Sequence, residues 1–307
     1  MNTALCFPGQ GSQTVGMGVA FADASPAAAA VFVEASEAFG EDLLELCRIG
    51  PQERLNQTEI TQPALTTASV ACLAAVREAG IGGDVAIGHS AGEYAALVAA
   101  GVIGVADAVR LTQARGIATA AAAQRAPGAM AAVLGLEDAQ VEVLCAGIDG
   151  VWVANYNCPG QVVVSGQNEA VDALISAATE AGARRALRLS VSGAFHSPLT
   201  ATAADDLRPA LEATNFAPPT IGFFSTVTCQ LEDEADLVKI LTQQLGAPVR
   251  FTQAVQSLAQ QGITQCVEIG PGGVLTGLIR RIDRNLTALS ISDPEGLAKA
   301  QEVLNHD

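Results

Sequence analysis

Short apolar runs alternate along the chain with longer, alanine-rich stretches whose apolar residues recur at three-to-four spacing. Thr3 to Phe7 reads as a strand entering a Pro-Gly-Gln-Gly turn. The pattern predicts helices over Pro26–Leu46 and over Gln62–Ala79, the latter with Pro63 in its first turn. Asp84 to Ile87 has the length and apolarity of a strand, and helices are predicted over Ala91–Val102 and Ala106–Ala123. Such alternation predicts an α/β protein with a mostly parallel sheet.

The texture changes after Pro127-Gly128. Strands are predicted at Met130–Leu134, Val151–Ala154, Gln161–Ser165 and Ala186–Val191, with helices at Ala139–Ala146 and Glu169–Ala181. The order β-α-β-β-α-β is the ferredoxin-like signature, so residues 126–192 read as a small inserted subdomain. Residues 1–125 and 193–307 form the main subdomain, which resumes with a helix at Ser197–Ala213 and a strand near Ile221–Ser225. Helices near Glu234–Leu245 and at Phe251–Gln260 follow, then a strand at Gln265–Ile269.

Half of the 307 residues are hydrophobic and 16% are charged, enough to bury a sizeable core. The net charge of −16 argues against nucleic acid and anionic membrane surfaces as partners. Only Lys239 and Lys299 are lysines among the 16 basic residues, so arginine is the expected agent wherever an anion is held. The uncharged stretch Tyr94–Ala106 is shorter than the about 20 residues a membrane span needs. No signal peptide is read at the N-terminus. The seven cysteines are scattered without C-x-x-C spacing, which fits free buried thiols in a reducing compartment and offers no metal site. A cytoplasmic protein is expected.

Gly88-His89-Ser90-Ala91-Gly92 follows a predicted strand and opens a predicted helix. In that context G-x-S-x-G is a nucleophile elbow: small neighbours permit the tight turn that lifts the serine hydroxyl off the sheet. A serine nucleophile needs a base, and the chain has three histidines. His306 adjoins the C-terminus, and His89 adjoins Ser90, where neighbouring side chains diverge. His196, in Ser192-Gly193-Ala194-Phe195-His196-Ser197-Pro198 at the predicted subdomain junction, is left as the base. No Asp or Glu stands out by spacing as a third member, and a backbone carbonyl can fill that place. The glycine-rich turn Phe7–Gln13 lacks the lysine and spacing of a phosphate loop and fits half of an oxyanion hole. Gly270-Pro271-Gly272-Gly273 reads only as a strand-to-helix turn.

Nine ordered motifs, FPGQGSQ (7–13), TQPAL (61–65), GHSAGEYAAL (88–97), QARG (113–116), GAMAAV (128–133), NYNCPGQVVVSG (155–166), GAFHSPL (193–199), QLGAPVRF (244–251) and EIGPGGVLTGLIRR (268–281), span nearly the whole chain. Together they resemble the malonyl-CoA:acyl carrier protein transacylases of fatty-acid and polyketide synthesis. The resemblance implies an α/β-hydrolase-like core with a ferredoxin-like insertion. It implies Ser90 as the acylated nucleophile and His196 as its base, oriented by the main-chain carbonyl of Gln244. It further implies an oxyanion hole from the amides of Gln10 and Ala91, Arg115 as the clamp on the malonyl carboxylate, and Gln62 as a pocket residue. Phe195 resembles the malonyl-selective pattern. Two positions depart from the usual motif: Ala91 stands where leucine is common, and Ile117-Ala118-Thr119-Ala120 lacks the usual methionine. Both should border the acyl pocket and enlarge it. The alternatives are an acyl-carrier or acyl-CoA hydrolase of the same fold and a non-catalytic docking module. An anion clamp at Arg115 is idle in the first, and intact Ser90 and His196 are unexpected in the second.

The implied substrates are malonyl-CoA and an acyl carrier protein, with no cofactor, and the family suggests a monomer. Acyl carrier proteins are acidic, so docking on a chain of charge −16 needs a local basic patch. Arg184, Arg185 and Arg188 form one candidate cluster; Arg280, Arg281 and Arg284 form another.

Overall fold

The computed structural model describes residues 2–304; Met1 and the C-terminal residues, His306 among them, lie outside the described residues. Five strands run parallel: β1 (Thr3–Phe7), β2 (Val85–Gly88), β7 (Gly222–Ser225), β9 (Gln265–Ile269) and β10 (Thr287–Ile291). With β8 (Gln230–Glu232) antiparallel on the edge, they make a six-stranded sheet in the order β10-β9-β1-β2-β7-β8. β1 and β2 are buried at every position because helices cover both faces, and this is why their sequences are continuous apolar runs. Leu5 and Phe7 belong to the core on one face, with the helix Thr58–Glu78; Ala4 and Cys6 belong to the core on the other, with the helices Phe251–Gln260 and Val274–Ile282.

A second, antiparallel sheet is formed by β3 (Ala129–Leu134), β4 (Val151–Cys158), β5 (Gln161–Gly166) and β6 (Arg185–Arg188) in the order β4-β5-β3-β6. One face packs on the helices Asp138–Ala146 and Asn168–Glu180. The other face carries Met130, Ala154 and Val163, packed with Leu189, Val191 and Phe195. The protein is therefore a mixed α/β fold with one largely parallel and one antiparallel sheet. Among the described residues no helix is long and apolar enough to cross a membrane.

Several predicted boundaries move. The stretch Pro26–Leu46 is two helices, Pro26–Phe39 and Leu43–Ile49. Gly40, at a left-handed φ of 89°, ends the first, and the Asp42 carboxylate caps the second through Glu45 N. The helix predicted from Gln62 starts at Thr58, which puts Pro63 inside it. The helices predicted at Ser197 and Glu234 begin with short 3₁₀ turns, Pro198–Thr200 and Glu234–Asp236. β8, the edge strand β10 and the helix Pro294–Leu304 were not anticipated. The cysteines are all unpaired, but Cys145 and Cys229 are only half-buried.

Candidate active site

The site lies at the carboxyl ends of β1 and β2, where ligands bind in open α/β sheets. β2 ends at Gly88 and the next helix begins at Gly92, leaving a turn with Ser90 at its apex. Ser90 has φ 52°, a left-handed conformation rare outside glycine that the surrounding packing must hold. The flanking glycines are required by contact: a Cβ on Gly88 would come 2.1 Å from Glu93 N, and one on Gly92 2.3 Å from Phe7 O. Neither the Gln10 nor the Ala91 amide donates to another protein group among the described residues. Gln10 lines the cavity that holds Ser90; Ala91 opens the helix just beyond it.

His196 reaches Ser90 from the segment between β6 and the 3₁₀ turn Pro198–Thr200. Its Nε2 lies 2.7 Å from Ser90 Oγ. Its Nδ1 lies 3.0 Å from the Gln244 carbonyl oxygen and 3.1 Å from that of Ala247. Two acceptors at Nδ1 place the ring proton there and turn the Nε2 lone pair toward the serine. The segment is fixed locally: Ser197 Oγ donates to Ala194 O at 2.6 Å, and Thr200 Oγ1 donates to Leu245 O at 2.8 Å. Burial, Arg115 and His89 together pull the His196 imidazole down to about 3, against the opposing pull of the two carbonyls. The resting ring is thus neutral and free to accept a proton.

Arg115, 4% exposed, comes from the middle of the helix Val105–Arg125. One terminal nitrogen donates to Ser90 Oγ at 3.1 Å and to Gln244 Oε1 at 3.1 Å; the other donates to Gln62 Oε1 at 2.9 Å. Its Nε has no hydrogen-bond partner among the described residues, although it is buried. Gln62 is itself 1% exposed on the helix Thr58–Glu78. A buried guanidinium beside the serine, paired to amides rather than to a carboxylate, is electrostatically ready for an anionic group. Phe195 and Thr119 also line the cavity. Ala91 is not among the lining residues; it is buried at 2% exposure.

Sequence reasoning did not find several further contributors. Ala247 shares His196 with Gln244. His89 Nε2 lies 2.9 Å from Asn157 Oδ1 on β4, tying the elbow to the second sheet, and its ring meets Phe251 at 5.6 Å. Glu93 is wholly buried beneath the elbow, where burial raises its carboxyl to about 7. A charged residue immediately before the apolar run Tyr94-Ala95-Ala96-Leu97 was the available signal for it.

Both arginine clusters lie on segments that reach the cavity. The chain after β6 supplies Leu189 and Val191 to its lining, and the helix Val274–Ile282 supplies Val274, Leu275 and Leu278. The six arginines differ in freedom. Arg188 pairs with Asp172 at 3.4 Å, Arg280 donates to Ala288 O at 2.8 Å, and Arg281 donates to Gln161 Oε1 at 2.8 Å and Pro159 O at 3.1 Å. Arg184, Arg185 and Arg284 are exposed.

Residues 5–293 match the acyl transferase domain family. The chain belongs to that family, among the malonyl-CoA:acyl carrier protein transacylases. The malonyl CoA-acyl carrier protein transacylase of Escherichia coli K12 is 45% identical over 305 residues, covering 98% of this chain and 99% of the relative. The crystal structure of an acyl-carrier-protein S-malonyltransferase from Burkholderia pseudomallei 1710b superposes with a TM-score of 0.95 at 42% identity, covering 98% of this chain and 100% of that one. A malonyl-transacylase solved in complex with its type II polyketide acyl carrier protein gives 0.95 at 41% identity, covering 99% of this chain and 100% of that one.

Proposed function

We propose that this transacylase moves a malonyl group from malonyl-CoA to the phosphopantetheine thiol of an acyl carrier protein, through a malonyl ester on Ser90. The observation that carries the reading is the Arg115 guanidinium 3.1 Å from a serine hydroxyl that is 2.7 Å from a histidine. Arg115 holds the malonyl carboxylate and so aims the thioester carbonyl at Ser90. His196 takes the Ser90 proton as the oxygen attacks; the oxyanion rests on the Gln10 and Ala91 amides. The C–S bond breaks and the CoA sulfur leaves with the proton from His196. The carrier thiol then gives its proton to His196 and attacks the ester, releasing Ser90 protonated. Serine, histidine, arginine and backbone amides carry every charge in this scheme, so no cofactor enters it. One chain supplies all of them, which supports action as a monomer.

The strand order of the second sheet supports the ferredoxin-like reading of residues 126–192, and the elbow at the end of β2 supports a hydrolase-like core for 1–125 and 193–307. Intact-mass measurement after mixing with malonyl-CoA, methylmalonyl-CoA or acetyl-CoA tests the function directly. A malonyl adduct is expected on Ser90; absence of any adduct, or one on a cysteine, would overturn it. Arg115→Ala should slow malonyl loading far more than acetyl loading. A charge-assisted contact whose partner is left unpaired in a desolvated site is worth about 2–5 kcal/mol. Equal losses for the two acyl groups would make Arg115 a packing residue instead.

The same scheme needs the acidic carrier to dock at the cavity mouth. We assign this to the two arginine clusters, with the exposed Arg184 and Arg185 foremost. Reversing both to glutamate should raise the apparent KM for the carrier about 3- to 30-fold, since each exposed charge pair is worth about 0.2–1 kcal/mol. Hydrolysis of malonyl-Ser90 by water should stay constant, and added salt should weaken the wild-type carrier reaction. Unchanged carrier kinetics and salt dependence in the double reversal would exclude this face.

A further inference from the structure

Arg115 and Ser90 both hang on one side chain, and His196 on the same residue's main chain. Gln244 Oε1 accepts from Arg115, Gln244 Nε2 donates to Ser90 O at 3.2 Å, and the Gln244 carbonyl accepts from His196 Nδ1. An amide can be turned end for end, and only its neighbours decide which end faces which group. On the Arg115 side a donor demands the oxygen. On the opposite side stands Glu93, whose Oε2 accepts from Gln244 Nε2. The other Glu93 oxygen is anchored by Thr226, whose N–H and Oγ1 donate to it at 2.7 and 2.6 Å. Glu93 and Gln244 are both wholly buried, so water does not substitute for either contact.

We propose that Glu93 is a positioning residue for malonyl loading: its carboxylate fixes the Gln244 amide in the single orientation that presents an acceptor to Arg115, and so holds the clamp beside Ser90. The inference rests on the roles given above to Ser90 and Arg115. The three donors from Thr226 and Gln244 favour the ionised form of Glu93, which offsets Arg115 at one remove, across the Gln244 amide.

Glu93→Gln keeps the size and the acceptor for Thr226 but sets two amide nitrogens against each other. Gln244 relieves this only by turning its own nitrogen toward Arg115, which displaces the guanidinium. Second-order acylation of Ser90 by malonyl-CoA should therefore fall about 10- to 100-fold, the consequence of a buried donor left without its acceptor. Labelling of Ser90 by a neutral organofluorophosphonate, which uses the serine and histidine but no clamp, should fall less than about 3-fold, because the Gln244 main chain stays in place. A merely structural residue would lower both rates together and depress the melting temperature.

The double variant Glu93→Gln with Gln244→Glu moves the carboxylate one residue along. The new amide donates to the new carboxylate, which restores the contact. That carboxylate now pairs directly with Arg115 and occupies the clamp. Malonyl loading should stay slow while the ratio of acetyl to malonyl loading rises above that of the wild type. The proposal fails if Glu93→Gln loads malonyl at the wild-type rate, if it lowers both rates equally, if the double variant loads malonyl normally, or if neither variant folds. Wild-type protein run in parallel separates this from the parent reading: a wild type that takes no malonyl on Ser90 refutes the function itself.

Discussion

Ser90→Ala yields no covalent malonyl-enzyme. Ser90 Oγ lies both 2.7 Å from His196 Nε2 and 3.1 Å from an Arg115 nitrogen. No cysteine can take its place by proximity: none lines the cavity, and burial raises the thiols of Cys47, Cys72 and Cys145 to about 12, far from the reactive thiolate. Substitution by alanine keeps the backbone atoms of the turn, and Gly88 and Gly92 still permit the close approach of β1 and the elbow helix. The variant should therefore fold and still bind malonyl-CoA through Arg115. Intact mass after incubation with malonyl-CoA should show the unmodified chain alone, and carrier malonylation should fall to the uncatalysed level. A persisting adduct would require a different nucleophile and would remove the basis for the roles given to His196 and Arg115.

The elbow was legible because its chemistry is local. A strand, a glycine-flanked serine and a helix in succession specify one turn, and the strand-helix alternation specified the parallel sheet. The meeting of Ser90 with His196 was inferable because few histidines compete. What stayed hidden depends on the third dimension. Gln244 was reached only through family resemblance, and Ala247 not at all, because a carbonyl acceptor leaves no trace in residue type. Glu93 was hidden by its position inside an apolar helix sequence, where its partners Thr226 and Gln244 are 133 and 151 residues away. Pro63 and Gly40 misplaced helix boundaries for a similar reason. Proline is most familiar in a first turn, yet the helix Thr58–Glu78 holds it inside, buried on nearly every side by its neighbours. Ala91 shows the reverse error: a residue beside the nucleophile in sequence is buried and is not among the residues that line the cavity.

His196→Ala should lower malonyl loading roughly 10⁴- to 10⁶-fold, the scale seen when one member of a cooperating nucleophile–base unit is removed. The argument starts from the ring's surroundings. No carboxylate touches Nδ1; the Gln244 and Ala247 carbonyls do, and they fix the tautomer while stabilising imidazolium less than an ion would. Burial comes first among the causes that hold the free ring at about 3, and the positive Arg115 comes second. A malonyl carboxylate seated on Arg115 offsets that second cause. The bound substrate thus raises the proton affinity of the base at the moment it is needed, and a neutral acyl group does not. Removal of the imidazole takes away the only proton acceptor within reach of Ser90 Oγ among the described residues, while Arg115, Gln62 and Gln244 remain to hold the substrate. Single-turnover acylation should collapse while the Kd for malonyl-CoA changes little, and Ser90→Ala combined with His196→Ala should be no slower than Ser90→Ala alone. Loading within tenfold of the wild-type rate would show that another group, or water, takes the serine proton.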